Sequence, residues 1–220
     1  MTKINVGIIG ASGFTGAELL RIAAQHPHFD VRLATGDSMA GRRAADLYPS
    51  LELGYPNLVF ESFDPVAIDG LDLVILGLPH AASMDLAPQI VGKVGCVVDL
   101  SAAYRLQDTT QYPEFYGFEH TQPEMLGDAV YGLPEFHRID LQGAQLIATP
   151  GCHVTAAALA LKPLVDNGLI ATAGIAVNSL TGITGAGRSA SEVNMFTSID
   201  SNTRAYGLLT HRHTPEIEQE

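Results

Sequence analysis

Only two cysteines, Cys96 and Cys152, stand among the 220 residues. Two thiols build no disulfide framework, and they fit a reducing compartment in which a free thiol survives. Cations are scarce as well: 12 Lys and Arg face 24 Asp and Glu, a formal net charge of −12. An acidic surface gains nothing from nucleic acid or from an anionic membrane, so neither partner is expected, although a phosphate can still be held locally. No apolar run is long enough to cross a bilayer, because Gly, Pro and charges interrupt each one. The N-terminal MTKINVGIIGASG lacks the charged, apolar and small-residue layout of a secretion signal. Internal repeats and low-complexity tracts are missing too. What remains, 46% hydrophobic and 16% charged residues, is the balance of a soluble, cytoplasmic globular protein with a substantial core. Its length suits one large domain, or one domain and part of another.

Residues 4–9 form a short apolar run ending in Gly10, the pattern of a parallel strand buried on both faces. Residues 15–25 (TGAELLRIAAQ) have helical apolar spacing and stop at His26-Pro27. Further strands are expected at 31–34, 71–78 and 96–100, with a helix over 81–91. This alternation predicts an α/β fold with a Rossmann-type doubly wound parallel sheet. Residues 104–118 turn polar and aromatic and read as a loop-rich region over the sheet. A strand at 146–148, a helix over 155–165, a strand at 175–180 and a Gly-rich loop at 181–188 follow. A new helix starts at Pro215, just before the last residue, Glu220. The expected division is a dinucleotide-binding domain over 1–148 and the first part of an α+β catalytic and dimerisation domain over 149–220, in a truncated chain.

Gly10-Ala11-Ser12-Gly13-Phe14-Thr15-Gly16 lies between the first strand and the first helix. Glycines there permit a tight turn and let a pyrophosphate approach the backbone at a helix N-terminus. A glycine triplet alone is also a plain turn; the strand–turn–helix context favours the dinucleotide. Ser12 and Thr15 are placed to add hydroxyl hydrogen bonds. At the end of the second strand, Ser38 and Arg42-Arg43 favour the 2′-phosphate of NADP, with Asp37 as counter-evidence unless it caps the next turn. Gly77-Leu78-Pro79-His80 lies at the carboxyl edge of the sheet, where cofactors bind, and reads equally as a strand-ending turn. His80 reads as a helix-entry residue rather than a catalyst.

Thr149-Pro150-Gly151-Cys152 forces a sharp turn and delivers a thiol to the start of a helix. There unpaired amide N–H groups and the helix dipole favour negative charge, the charge of a thiolate nucleophile. A lone Cys is more commonly a small packing residue, which is the reading for Cys96. For Cys152, the cofactor loop upstream and His211-Arg212-His213 downstream favour redox chemistry through a thioester. The two imidazoles lack further ligands at metal-site spacing, so one of them reads as a general acid/base and no metal is expected. Ser101 and Arg105, beyond the fourth strand, and Gly185 and Arg188 in the Gly-rich loop remain open. Each Arg suits an anion, and each equally suits a structural role.

Taken in order, GASGFTGAEL, GLPHAAS, DLSAAYR, YGLPE, TPGCHVTAAALALKPL, TGITGAGR and THRHTPEI resemble the N-acetyl-γ-glutamyl-phosphate reductase family, NADP-dependent enzymes of arginine biosynthesis. The resemblance runs along all 220 residues, and Pro-Gly-Cys with the downstream His-Arg-His is its specific part. It implies Cys152 as nucleophile, His211 as acid/base, and an acyl phosphate reduced to a semialdehyde. It also implies Arg105, Ser101 and Arg188 toward substrate, Gly185 toward the cofactor, and a homo-oligomer. Two positions depart from the family pattern: His153 stands where an aromatic residue is usual, and Thr181 and Thr184 where Ser is usual. A related reductase acting on an aminoadipate or aspartate derivative, a non-catalytic dinucleotide-binding module and a poorly folding fragment are the alternatives.

Overall fold

A computed structural model describes residues 3–220. Its centre is one parallel sheet of six strands: β1 (Ile4–Ile9), β2 (Phe29–Ala34), β3 (Leu73–Leu76), β4 (Cys96–Asp99), β5 (Val130–Tyr131) and β6 (Leu146–Ala148). The order across the sheet is β2-β1-β3-β4-β6-β5, so the chain winds outward from β1 in both directions. Val6, Ile8, Val74, Leu76 and Val97 are fully buried, as continuous apolar strands covered on both faces must be. The helices Phe14–Gln25 and His80–Ile90 follow β1 and β3. One apolar cluster gathers around Ile8, Leu20 and Phe60, the other around Leu76, Ile90, Leu106 and Tyr112. No helix among the described residues is long and apolar enough to cross a membrane.

One expectation is refined and another fails. Residues 104–118 are not simply loop: a helix spans Gln111–Tyr116, and Tyr104, Leu106 and Tyr112 are buried. Tyr112 stacks obliquely on Phe118 at 5.4 Å and on Tyr116 at 5.8 Å. A six-residue helix is too short to display an apolar period, so its aromatics read as loop texture. The strand expected at 175–180 has no ladder either. Val177 is 44% and Leu180 86% exposed, and without a neighbouring strand the amides have no partner to make one.

The site depends on how closely the ends of β1 and β3 approach. Gly77 donates its amide to Ile9 O at 2.7 Å, and Gly10 turns with φ +89°. A Cβ at Gly10 would fall on the carbonyl oxygen of Gly77, far inside contact distance. Gly10→Ala combines this overlap with a left-handed backbone, and a loss of about 2–4 kcal/mol is expected. A melting curve should show a fall of roughly 5–15 °C; an unchanged midpoint would mean that the two loops separate freely.

Candidate active site

The carboxyl ends of β1, β3, β4 and β6 converge on one edge of the sheet, and the chemistry-bearing residues gather there. Gly13 caps the Phe14–Gln25 helix with no side-chain hydrogen bond, leaving the first-turn amides of Phe14, Thr15 and Gly16 available to an anion. A Cβ at Gly13 would meet only Gly10 O, at 3.7 Å, so the loop is open on the side a ligand needs. Gly16 is different: its Cβ would run into the backbone of Ala11, which makes it a packing glycine. Thr35 Oγ1 accepts the Gly10 amide at 3.1 Å, and Ser12 Oγ donates to Gly36 O at 3.1 Å. Ser12 therefore fixes the loop to the end of β2, while the exposed Thr15 hydroxyl is free of any hydrogen bond among the described residues. These features fit a bound dinucleotide phosphate.

At the end of β2, Asp37 opens a short turn at φ +43° instead of capping one; its carbonyl accepts the Ala40 amide at 2.9 Å. Ser38 and Arg42 are exposed beside it. Arg42 meets no carboxylate among the described residues, only Met39 Sδ at 3.6 Å. Arg43 is bound to Asp46 at 2.8 Å and Glu52 at 3.3 Å, so of the two arginines Arg42 is the one open to a ligand.

Gly77 and Pro79 line the turn after β3. His80, the first residue of its helix, accepts the Ala102 amide on Nδ1 at 2.9 Å. Burial first, then Arg212 and Arg105, push its pKa down to about 4, in keeping with a neutral helix-entry residue. Ser101 is buried; its hydroxyl donates to Asp99 Oδ2 at 2.7 Å and accepts the Ala103 amide at 3.0 Å. Asp99 also takes the Ser83 hydroxyl at 2.5 Å. Ser101 thus shapes the loop, with its hydroxyl bonded to Asp99 and to the Ala103 amide.

Cys152 is the first residue of the Cys152–Asp166 helix, with Gly151 as its cap. It is exposed and makes no hydrogen bond among the described residues. The preceding turn is held from behind by Glu216 of the Thr214–Gln219 helix. Its fully buried carboxylate accepts the Gly151 amide at 2.9 Å and the Tyr131 hydroxyl at 2.7 Å. Arg105 lies 3.7 Å from the other carboxylate oxygen and donates to Thr149 O at 2.7 Å and Leu100 O at 2.9 Å. Burial raises the Glu216 pKa against the pull of Arg105. Arg105 therefore spends much of its fork inside the protein, tying β4 to the Cys152 turn. Arg188 donates to Ser12 O at 3.4 Å and lies 5.8 Å from the Tyr48 ring. That puts it at the glycine loop. Gly185 sits in the exposed turn Ile183–Ala186 just before it.

Three imidazoles stand over the Cys152 turn. The His211 and His213 rings are 4.8 Å apart, and His153 is 5.1 Å from His211. His213 is buried against Gly151, where a Cβ would come within 2.5 Å of its Nε2. The His213 amide donates to His211 Nδ1 at 3.1 Å, so a neutral His211 carries its proton on Nε2. Burial, then His153 and Arg212, lower the His211 pKa. The half-buried member of the pair is thus a neutral donor.

His213 is pushed down to about 3 by burial, and then by Arg105, His211, Arg212 and His153. Between that value and its ordinary 6.5, the unfolded chain binds a proton that the folded chain refuses. Stability contributed by His213 therefore falls as pH drops from 6.5 toward 3. His80 acts in the same direction; Asp99 and Glu216, with raised values, act in the opposite one. His213→Asn should flatten the stability–pH curve below pH 6.5, relative to wild type, by up to about 1.4 kcal/mol per pH unit. Urea titrations at several pH values would read this, and parallel curves would refute it.

Glu216, Tyr131, Ser179 and Tyr206 were not singled out in the sequence. Tyr131 and Glu216 lie inside the YGLPE and THRHTPEI motifs, so the motifs were visible while the roles were not. Ser179 and Tyr206 left no local signal.

A parallel sheet with an open glycine loop at the end of its first strand, and a thiol at the start of the helix that follows its last strand in sequence, defines a dinucleotide-binding α/β fold. Residues 5–144 match the family model "Semialdehyde dehydrogenase, NAD binding domain", and residues 152–220 match "Semialdehyde dehydrogenase, dimerisation domain". The chain belongs to the semialdehyde dehydrogenase family. It is 44% identical over 217 residues to the N-acetyl-gamma-glutamyl-phosphate reductase of Symbiobacterium thermophilum, covering 98% of this chain and 62% of the relative. The enzyme of the same name from Methanopyrus kandleri is also 44% identical over 217 residues, with 98% and 63% covered. The chain therefore spans less than two thirds of the length of these relatives. Among solved structures, the aspartate semialdehyde dehydrogenase of Candida albicans with NADP shares the fold at a TM-score of 0.54 and 18% identity, over 77% of this chain and 48% of that one.

Proposed function

We propose that this chain is the cofactor-binding and thiol-bearing part of an N-acetyl-γ-glutamyl-phosphate reductase, a cytoplasmic enzyme of arginine biosynthesis. The observation that carries the reading is Cys152 itself: exposed, first in its helix, and one residue from the glycine against which His213 packs. Residues 1–148 would hold the dinucleotide, and residues 149–220 would begin the catalytic and dimerisation domain of a homo-oligomer. Phe14, Thr15 and Gly16 would hold its phosphates through their amides, in a turn that Gly10 and Gly13 shape. Gly77 and Pro79 would border it at the neighbouring strand end. Exposed Ser38 and Arg42 favour the 2′-phosphate of NADP over NAD.

In the reaction, the Cys152 thiolate attacks the acyl-phosphate carbonyl carbon; a C–S bond forms and the C–O bond to phosphate breaks, phosphate leaving with the electron pair. A bound nicotinamide dinucleotide supplies the hydride that a thioester accepts more readily than a carboxylate does. The resulting oxygen anion needs a donor, and His211 Nε2–H is the group that would provide it. Collapse of this tetrahedral oxygen anion re-forms C=O, breaks the C–S bond and returns the thiolate with the electron pair, releasing N-acetylglutamate 5-semialdehyde. Arg105 would act mainly by holding the turn, and Arg188 from the cofactor side.

The test is the reverse reaction, reduction of NADP⁺ by N-acetylglutamate 5-semialdehyde. The rate should vanish without inorganic phosphate. Phosphate-independent turnover would rule out an acyl phosphate, and equal rates on the N-acetylaminoadipate semialdehyde would rule out this substrate.

A further inference from the structure

Residues 170–210 are largely exposed and carry no β-ladder. Among the described residues, three side-chain hydrogen bonds tie this stretch to the rest of the molecule. One is the long Arg188 contact to Ser12. The other two belong to a single imidazole: His153 Nδ1 meets Ser179 Oγ at 2.5 Å, and His153 Nε2 meets the Tyr206 hydroxyl at 2.8 Å.

We propose that His153 is a positioning residue: it clamps the Ser179 and Tyr206 segments onto the Cys152 helix and thereby seats the His211 ring. This inference rests on the reductase reading for its kinetic consequence and on geometry alone for the clamp. His153 is the second residue of the Cys152–Asp166 helix and is only 8% exposed, so its ring is held by packing before either hydrogen bond is counted. Both partners are hydroxyls, which donate or accept as required; the clamp therefore holds for either tautomer of His153. His211 sits against both members of the bonded pair. Its ring is 5.1 Å from His153 at 88° and 5.4 Å from Tyr206 at 65°, the edge-to-face arrangement that aromatic rings favour. The turn at Gly207 closes the other side, where an added Cβ would come within 3.0 Å of His211 Cδ2. His211 is thus seated by two rings that His153 and Tyr206 join through one hydrogen bond.

Two variants separate the parts. His153→Phe keeps a ring and removes both hydrogen bonds; Tyr206→Phe removes one hydroxyl and nothing else. Three readouts are taken on each: amide hydrogen exchange across residues 170–210, the NMR signal of the His211 imidazole Cε1–H, and kcat and KM in the phosphate-dependent assay. For His153→Phe, exchange in the stretch should quicken roughly tenfold or more, the worth of one or two hydrogen bonds. The His211 signal should move, and kcat should fall while KM stays within about threefold, since the seating acts on the reacting oxygen and not on substrate binding. Tyr206→Phe should move the His211 signal in the same direction by less, and adding it to His153→Phe should have little further effect. Unchanged exchange in both variants would overturn the clamp. Faster exchange with an unmoved His211 signal would overturn the seating. Should the wild type fail to turn over the semialdehyde, the reductase reading falls, and exchange and NMR still decide the clamp.

Discussion

Cys152→Ala is expected to cut turnover by about 10⁴-fold or more, the order seen when a covalent nucleophile is removed from its site. Binding of NADP⁺ should stay within a few-fold of wild type, because the glycine loop at residues 10–16 is built from β1 and its helix without help from the thiol. The substitution should also leave stability nearly unchanged. The thiol is exposed and forms no hydrogen bond among the described residues, and alanine suits a helix at least as well as cysteine. Steady-state assays with and without phosphate, a calorimetric NADP⁺ titration and a melting curve make the comparison. Turnover surviving within tenfold would remove Cys152 as nucleophile, and joint loss of turnover and cofactor binding would show the two sites to be one structural unit.

Arg105→Leu is expected to act almost wholly on the fold, with a loss of about 3–5 kcal/mol. Arg105 is buried, and the Glu216 carboxylate 3.7 Å away is buried completely. Removing the guanidinium strands that carboxylate and takes hydrogen-bond donors from Thr149 O and Leu100 O. The Glu216 pKa, already raised by burial, should rise further, so the variant should regain part of its stability as the medium is acidified. Denaturant unfolding at neutral and at mildly acidic pH reads both effects. A loss under about 1 kcal/mol at neutral pH would mean that the pair contributes no more than an exposed ion pair does. A substrate-binding role alone would instead raise KM with stability intact.

The glycine loop, the strand–helix alternation and the Cys152 turn were legible because each is a local event. A buried parallel strand is an apolar run, and a tight turn needs glycine within a few residues of it. The helix at Gln111–Tyr116 was not legible, since six residues are too few to show a period. The failed strand at 175–180 teaches the converse: apolar residues permit a strand, but a ladder needs a neighbour in space. Arg105, Arg188 and Ser101 show the same limit at the site. Their residue types read as anion-suited or polar, and nothing in the local sequence names their partners. Arg105 and Ser101 are taken up largely by internal partners, while Arg188 lies against the glycine loop.

By itself, then, the sequence determined the α/β winding, the place of the dinucleotide loop and the position of a thiol at a helix start. These follow from periodicity, turn chemistry and backbone polarity within short windows. Tertiary structure alone decided that Glu216 reaches back 65 residues to the Gly151 amide, that His213 is the buried imidazole and His211 the accessible one, and that His153 bonds to segments 26 and 53 residues away. Such contacts depend on distance in space and on burial, which no short window of sequence contains.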